Sequence, residues 1–270
     1  MVSEPALLVE RDGGVVTLTL NRPEARNAFN PEMLCGLADA WDLVDGDDSV
    51  HVAILTGAGG NFSAGADLDQ LVGKLMKGLP PDNEHEERIQ QDYSIIYKGF
   101  LKEYRLAKPL LAAVEGYCYA GGMEMLMSAD IRVAGEGARI AISEVCRGLF
   151  PMAGTTVRLP RQIPYTVAME MLLTGAPLDA AEALRVGLLG HVVKDGGALA
   201  RARELADAIA KNGPLAVRNI KASVLESSCL PEEKAFVREL ELGMEVMSSE
   251  DAREGPRAFL EKRPARFKGS

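Results

Sequence analysis

Two glutamates stand where the local sequence gives an acidic side chain little reason to be. Glu124 falls inside the apolar run MEMLMS, three residues past Gly121, about one helical turn along. Glu144 ends the apolar stretch IAISEV, just ahead of the turn GLFPMAG. Burial would raise either carboxyl's pKa and poise it for proton transfer near neutral pH. Each also has a plainer explanation. Glu124 can be an acid near a helix N-terminus, stabilised by the helix dipole, and Glu144 an acid in an N-cap region after Ser143.

Two turns of small residues accompany them, Ala64-Gly65-Ala66 and Ala120-Gly121-Gly122, each following an apolar, strand-like run. No side chain shields their backbone N–H groups. A helix starting at Gly121 would present unpaired amides and the positive end of its dipole, which suits a developing oxyanion. The same glycines would also serve if they only allowed a strand and a helix to pack closely.

Other chemistries fail on specific residues. In Gly57-Ala58-Gly59-Gly60 the third glycine of a dinucleotide fingerprint would fall on Phe62. No G-x-S-x-G elbow occurs, and the histidines at 51, 85 and 191 have no spacing suited to a metal site or a local triad. The four cysteines, 35, 118, 146 and 229, are scattered without a C-x-x-C pair, which fits a reducing compartment. A net charge of −9 argues against sequence-independent nucleic-acid binding. No apolar run approaches the ~18 residues of a membrane span, and the start MVSEPALLVERDGG lacks the pattern of a signal peptide. A cytoplasmic protein with no membrane partner is expected.

The elements that must position these residues follow from periodicity. Residues 6–20 read as a hairpin around Asp12-Gly13-Gly14, with Val16, Leu18 and Leu20 on one face. Asn30 and Pro31 open a helix that runs to Gly46. HVAILT and LLAAV read as buried strands, each running into a glycine-rich turn. A single amphipathic helix is expected over 83–106, and strands over 131–134 and 139–143. The segments 197–211, 214–226 and 231–247 are helical, so a boundary is expected near 195–200. Strands alternating with helices favour a mixed α/β core.

Taken together, NRPEARNAFNPEM, GGNFSAGADL, KPLLAAVEGYCYAGGMEMLMSADIRVA, ISEVCRGLFPMAGTTVRL, LLTGAPLDAAEALRVGLLGHVV and EGPRAFLEKRPARFKG resemble the crotonase superfamily, most closely its enoyl-CoA hydratases. The resemblance covers nearly the whole chain. It implies an α/β fold, a crotonase-like spiral of ββα units over 1–198 that holds the CoA-binding and catalytic site. A helical trimerisation region follows over 199–270, giving a homotrimer or a dimer of trimers.

By the same resemblance, the backbone N–H groups of Ala66 and Gly121 form an oxyanion hole, and Glu124 and Glu144 fall on the family's two catalytic glutamates. Arg26 lies near the CoA pyrophosphate, the Ala64 backbone faces the adenine, and Asp67 belongs with the substrate-binding positions. Phe259 and Lys262 reach the CoA of an adjacent subunit. Residues 69–105, with Tyr93, Tyr97, Phe100 and Tyr104, are expected to form the variable wall of the acyl pocket. The acyl-CoA thioester is the substrate, and neither a cofactor nor a metal is implied.

Membership alone leaves the reaction open, because superfamily isomerases share the oxyanion hole. Hydration needs both an activated water and a proton for the alpha carbon, so two carboxyls favour it, whereas an isomerase manages with one base. A non-catalytic acyl-CoA or RNA-binding protein is the alternative from another class, and the charge and the paired glutamates count against it. Family hydratases commonly carry glycine where Met152 and Ala120 stand here, which bears on pocket shape.

Overall fold

The hairpin forms where alternation places it: β1 (Leu7–Asp12) pairs antiparallel with β2 (Val15–Leu20) through a turn in which Gly13 takes φ +56°. The structure, a computed structural model, describes residues 4–74 and 77–270. From β2 the sheet grows in parallel through β3 (Val52–Gly57), β4 (Leu110–Val114), the strand Ile131–Gly135 and the strand His191–Val193. Three short strands build a second sheet: β5 (Tyr117–Tyr119), Arg139–Ala141 and Leu178–Asp179. In chain order the remaining strands are therefore β6 (Ile131–Gly135), β7 (Arg139–Ala141), β8 (Leu178–Asp179) and β9 (His191–Val193).

Period-two alternation gives the larger sheet two cores. Val16, Leu18 and Leu20 of β2, with Ala53 and Leu55 of β3, face the core that holds α1 (Pro31–Gly46) and its buried Trp41. The Asn30 side chain caps that helix by accepting the Met33 N–H at 3.0 Å, and Pro31 fills its first position. On the other face Val52, Ile54, Leu111 and Val133 meet Ala198, Ala202 and Ala206 of the helix Ala198–Ala210.

The chain over 83–106 is not one helix. It forms α2 (Glu84–Gln91) and α3 (Ser94–Gly99), because the Asp92 carboxylate accepts the Ser94 N–H at 2.9 Å and turns the chain between them. After α3 Leu101 takes φ +53°, which carries the chain out of helical geometry before β4. The stretch Gly116–Gly122, which reads as a glycine turn, contains strand β5 before α4 (Gly121–Leu126). β6 and β7 flank the 135–137 turn as expected, but they join different sheets.

The later helices are α5 (Thr155–Gln162), α6 (Tyr165–Thr174), α7 (Ala180–Arg185), α8 (Ala198–Ala210), α9 (Pro214–Ser227), α10 (Glu232–Met247) and α11 (Asp251–Leu260). The region expected to stand apart from residue 199 thus opens with a helix that belongs to the sheet. Beyond it α9 pairs with α10, and Ile220, Val224, Phe236, Leu240 and Met247 remain exposed. Among the described residues no helix is long and apolar enough to cross a membrane.

The packing of α8 makes a test of this division. Ala202 is fully buried against the sheet, so Ala202→Leu should lower unfolding stability by about 1–3 kcal/mol through overpacking. Urea denaturation measures it, and an unchanged midpoint would contradict the close helix-on-sheet packing.

Candidate active site

β3 and β4 are parallel neighbours, so the loops that follow them leave the sheet at the same end. Backbone bonds then zip the two together. Phe62 N–H donates to Glu115 C=O (2.8 Å), Ser63 N–H to Tyr117 C=O (2.9 Å), and Tyr119 N–H to Ser63 C=O (2.9 Å). Phe29, just ahead of α1, clamps the first loop from its other side: its N–H donates to Gly65 C=O, and its C=O accepts the Asp67 N–H.

Gly65 lets the loops meet. Its φ of +101° suits glycine, and a Cβ there would lie 2.6 Å from the Ala120 Cβ and 3.1 Å from the Gly121 nitrogen. Ala66 and Gly121 therefore come together, and among the described residues neither N–H has a backbone acceptor. Gly121 is the first residue of α4, where no intrahelical partner exists. Two unpaired N–H groups in one cavity can stabilise negative charge on a carbonyl oxygen placed between them.

Glu124 follows on α4 and is buried. Its Oε1 accepts the Ala153 N–H at 2.6 Å. Burial first, and then the charge of Glu144, push its pKa up to about 7. Glu144 opens a 3₁₀ turn over Glu144–Arg147; burial raises its pKa too, against the lowering effect of Arg147. Its Oε2 is buried with no hydrogen-bond partner among the described residues. Two carboxyls raised in this way can each give or take a proton more readily than an ordinary glutamate near neutrality, as an acid and a base must.

Both glutamates, Ala66 and Gly121 line one cavity of about 910 Å³. Arg26 and Ala64 also line it; the Arg26 guanidinium lies 5.2 Å from the Tyr117 ring centroid, and the Ala64 N–H donates to Arg26 C=O. Tyr93, Tyr97 and Phe100 form part of the wall as expected. Tyr104 does not, because its hydroxyl is tied to Asp45 at 2.7 Å.

Asp67 lies outside the lining as well. Its carboxylate accepts the Asp69 and Gln70 N–H groups and pairs with Arg22 at 3.1 Å, so it caps the widened helical segment Leu68–Lys74. Phe259, 82% exposed, and Lys262 are likewise not among the lining residues.

Several lining residues carry no chemical signature in the sequence. Leu68, Leu71 and Val72 sit on that widened segment, and Phe150 follows Glu144; Met152, singled out above for its bearing on pocket shape, lines the cavity too. Tyr117 and Tyr119 could have been found from their spacing of two within GYCYAGG, which puts them on one side of a strand. Among the described residues no cluster of three or more His, Cys, Asp or Glu is placed to hold a metal ion.

Paired strand-end loops, two unpaired N–H groups, a buried carboxyl and a half-buried one define an enzyme of the crotonase fold. The chain belongs to the enoyl-CoA hydratase/isomerase family, whose family model matches residues 10–270. It is 51% identical over 265 residues to the enoyl-CoA hydratase EchA19 of Mycobacterium tuberculosis, covering 98% of this chain and 97% of that protein. It is 35% identical to the (E)-benzylidenesuccinyl-CoA hydratase of Thauera aromatica, over 97% of this chain and 98% of the relative. A crystal structure of an enoyl-CoA hydratase from M. tuberculosis H37Rv superposes with a TM-score of 0.88 at 40% identity, covering 99% of this chain and 100% of the other.

The raised Glu124 pKa has a stability consequence. Between the ordinary carboxyl value and about 7 the folded state holds a proton that the unfolded chain has released, so stability falls as pH rises through that window. Glu124→Gln lacks this loss. Its stability relative to wild type should improve between pH 5 and pH 8 by on the order of 2 kcal/mol. Chemical denaturation at the two pH values tests it, and a constant difference would show that Glu124 is not held protonated.

Proposed function

We propose that this enzyme catalyses reversible syn addition of water to a trans-2-enoyl-CoA, giving a 3-hydroxyacyl-CoA, in β-oxidation of fatty or related acyl groups. The observation that carries this reading is that both glutamate carboxyls line the same cavity as the two free N–H groups. The thioester oxygen accepts from Ala66 and Gly121, which draws electron density from C3. Water held by the glutamates adds through its oxygen to C3 and loses a proton to Glu124. Glu144 gives a proton to C2 as the enolate collapses, so the pair has passed one proton along and resets by exchange with solvent. The reaction is redox-neutral and its acid, base and oxyanion donors all come from the chain, so we propose that no cofactor takes part.

Arg26 at the cavity wall supplies a cation for the CoA pyrophosphate, with Tyr117 supporting it. The Ala64 N–H is already engaged, which leaves its carbonyl for the adenine amino group. Asp67 acts indirectly, by fixing the segment after Ala66. Phe259 and Lys262 serve a neighbouring subunit in a trimer or a dimer of trimers, an assembly that would also cover the exposed apolar residues of α9 and α10. Because α8 packs on the sheet, the oligomerisation region of this reading runs from about 214 to 270. Four free cysteines accord with a cytoplasmic setting.

Glu124→Gln and Glu144→Gln should each cut crotonyl-CoA hydration by ~100-fold or more while CoA binding persists. Wild-type activity should pass through a maximum with pH, because Glu124 must have lost its proton while Glu144 still carries one. A variant with near-normal turnover, or a wild type that only converts 3-enoyl-CoA to the conjugated isomer, would overturn the hydratase reading. For the shared site, Phe259→Ala with Lys262→Ala should raise the KM for the CoA substrate several-fold with little change in kcat, and sedimentation should report a trimer or hexamer. An active monomer would refute the assembly.

A further inference from the structure

Arg158 lies on α5 and is not among the residues that line the cavity. Its Nη1 donates to the Ser128 hydroxyl at 2.6 Å, and its Nη2 donates to the Leu101 carbonyl. Ser128 Oγ in turn donates to the Phe100 carbonyl at 3.4 Å. These carbonyls belong to the turn that leaves α3, where Leu101 holds φ +53°. The Phe100 ring lines the cavity and meets Phe29 edge-on with centroids 4.9 Å apart. It lies so close to Gly121 that a Cβ added there would be 3.2 Å from it.

One guanidinium therefore ties together three pieces of the site. These are α5, directly after the Ala153 N–H that holds Glu124; the residue Ser128, just past the end of the helix that carries Gly121 and Glu124; and the turn that presses Phe100 on Gly121. Charge adds to the tie. Burial pulls the Arg158 pKa down, the Glu124 carboxylate opposes that, and Arg105 works with burial as a like charge. Glu124 also feels the charge of Glu144, which in turn feels that of Arg147.

We propose that Arg158 is a positioning residue for this site: it locks the Phe100 turn against Gly121 and keeps a fixed cation within electrostatic reach of Glu124. It thereby couples the acyl-pocket wall to the carboxylate and the N–H group at the pocket floor. The proposal rests on the hydratase reading for its kinetic consequence, but its electrostatic part can be read without turnover.

The experiment compares wild type, Arg158→Met and Arg158→Lys. The titration of Glu124 is followed by ¹³C NMR of labelled glutamate, with Glu124→Gln assigning the resonance. In Arg158→Met the midpoint should move to higher pH by about half a pH unit or more, since an attracting cation is lost. Arg158→Lys, which keeps the charge, should restore it. On crotonyl-CoA, Arg158→Met should lower kcat ~10-fold or more with KM changed less than about threefold, and Arg158→Lys should recover part of the loss. If the Met variant does not fold, Arg158→Gln carries the same comparison.

An unmoved Glu124 titration in a folded, charge-free variant would overturn the proposal, even if kcat fell, because Arg158 would then be a packing residue only. That failure would leave the hydratase reading intact. Failure of the reading is seen separately, as full activity in Glu124→Gln.

Discussion

The site depends on a close passage of two backbones, the loop after β3 and the segment after β4. Three zipping bonds bring residues 62–63 onto 115–119, and the missing side chain of Gly65 lets the last step close against Ala120. Any Cβ at residue 65 would have to share space with the Ala120 methyl, and its backbone would have to leave φ +101°. Either change separates the N–H groups of Ala66 and Gly121, which face no backbone acceptor of their own among the described residues. The larger fold serves this contact. Parallel pairing of β3 and β4 sends both loops the same way, while Phe29 fixes the first loop to the start of α1.

The second constraint is electrostatic. Withdrawing two carboxyls from water, Glu124 fully and Glu144 in part, is unfavourable unless they are hydrogen-bonded or protonated. The structure offers partial compensation: the Ala153 N–H for Glu124, and nearby arginines at 147 and 158. Among the described residues Glu144 Oε2 is left buried without a partner. Compensation that stops short is what keeps the pKa of both glutamates raised, and a fully paired carboxylate would be too weak a base and too poor an acid for proton transfer near neutrality. Apolar walls also lower the local dielectric, which strengthens the field of the two N–H groups.

How much of this can be read from sequence varies with the range of the interaction. The hairpin, the Asn30-capped helix and the Gly121–Glu124 spacing are local, and periodicity and capping chemistry show them. The break at Asp92 is also local, but a side chain capping the next turn leaves the apolar period through 83–106 almost unbroken. β5, β7 and β8 are two or three residues long and exist through pairing with distant segments, so a run such as GYCYAGG reads as a turn and hides Tyr117 and Tyr119. The attachment of α8 is hard to see because its buried face is alanine, which gives little apolar contrast. Asp67 shows what position alone does not reveal, since its carboxylate caps the segment that follows and pairs with Arg22.

Ala120 links the two constraints. It holds φ +49° and ψ −121°, a conformation that glycine adopts freely and that costs an alanine roughly 1–3 kcal/mol. The residue is over-determined: its N–H donates to Ala141 C=O at 2.9 Å and its C=O accepts the Glu124 N–H at 3.0 Å. These bonds span from β7 to the first turn of α4, so the strain sits between the second sheet and the helix that carries Glu124. The alanine methyl fills the space that Gly65 leaves empty. A glycine at 120 would relax the backbone but remove that stop, and the Ala64–Ala66 turn would gain room to move relative to Gly121. Strain at 120 and the absence of a side chain at 65 thus act as one device, in which a conformational penalty on one loop fixes the distance to the other.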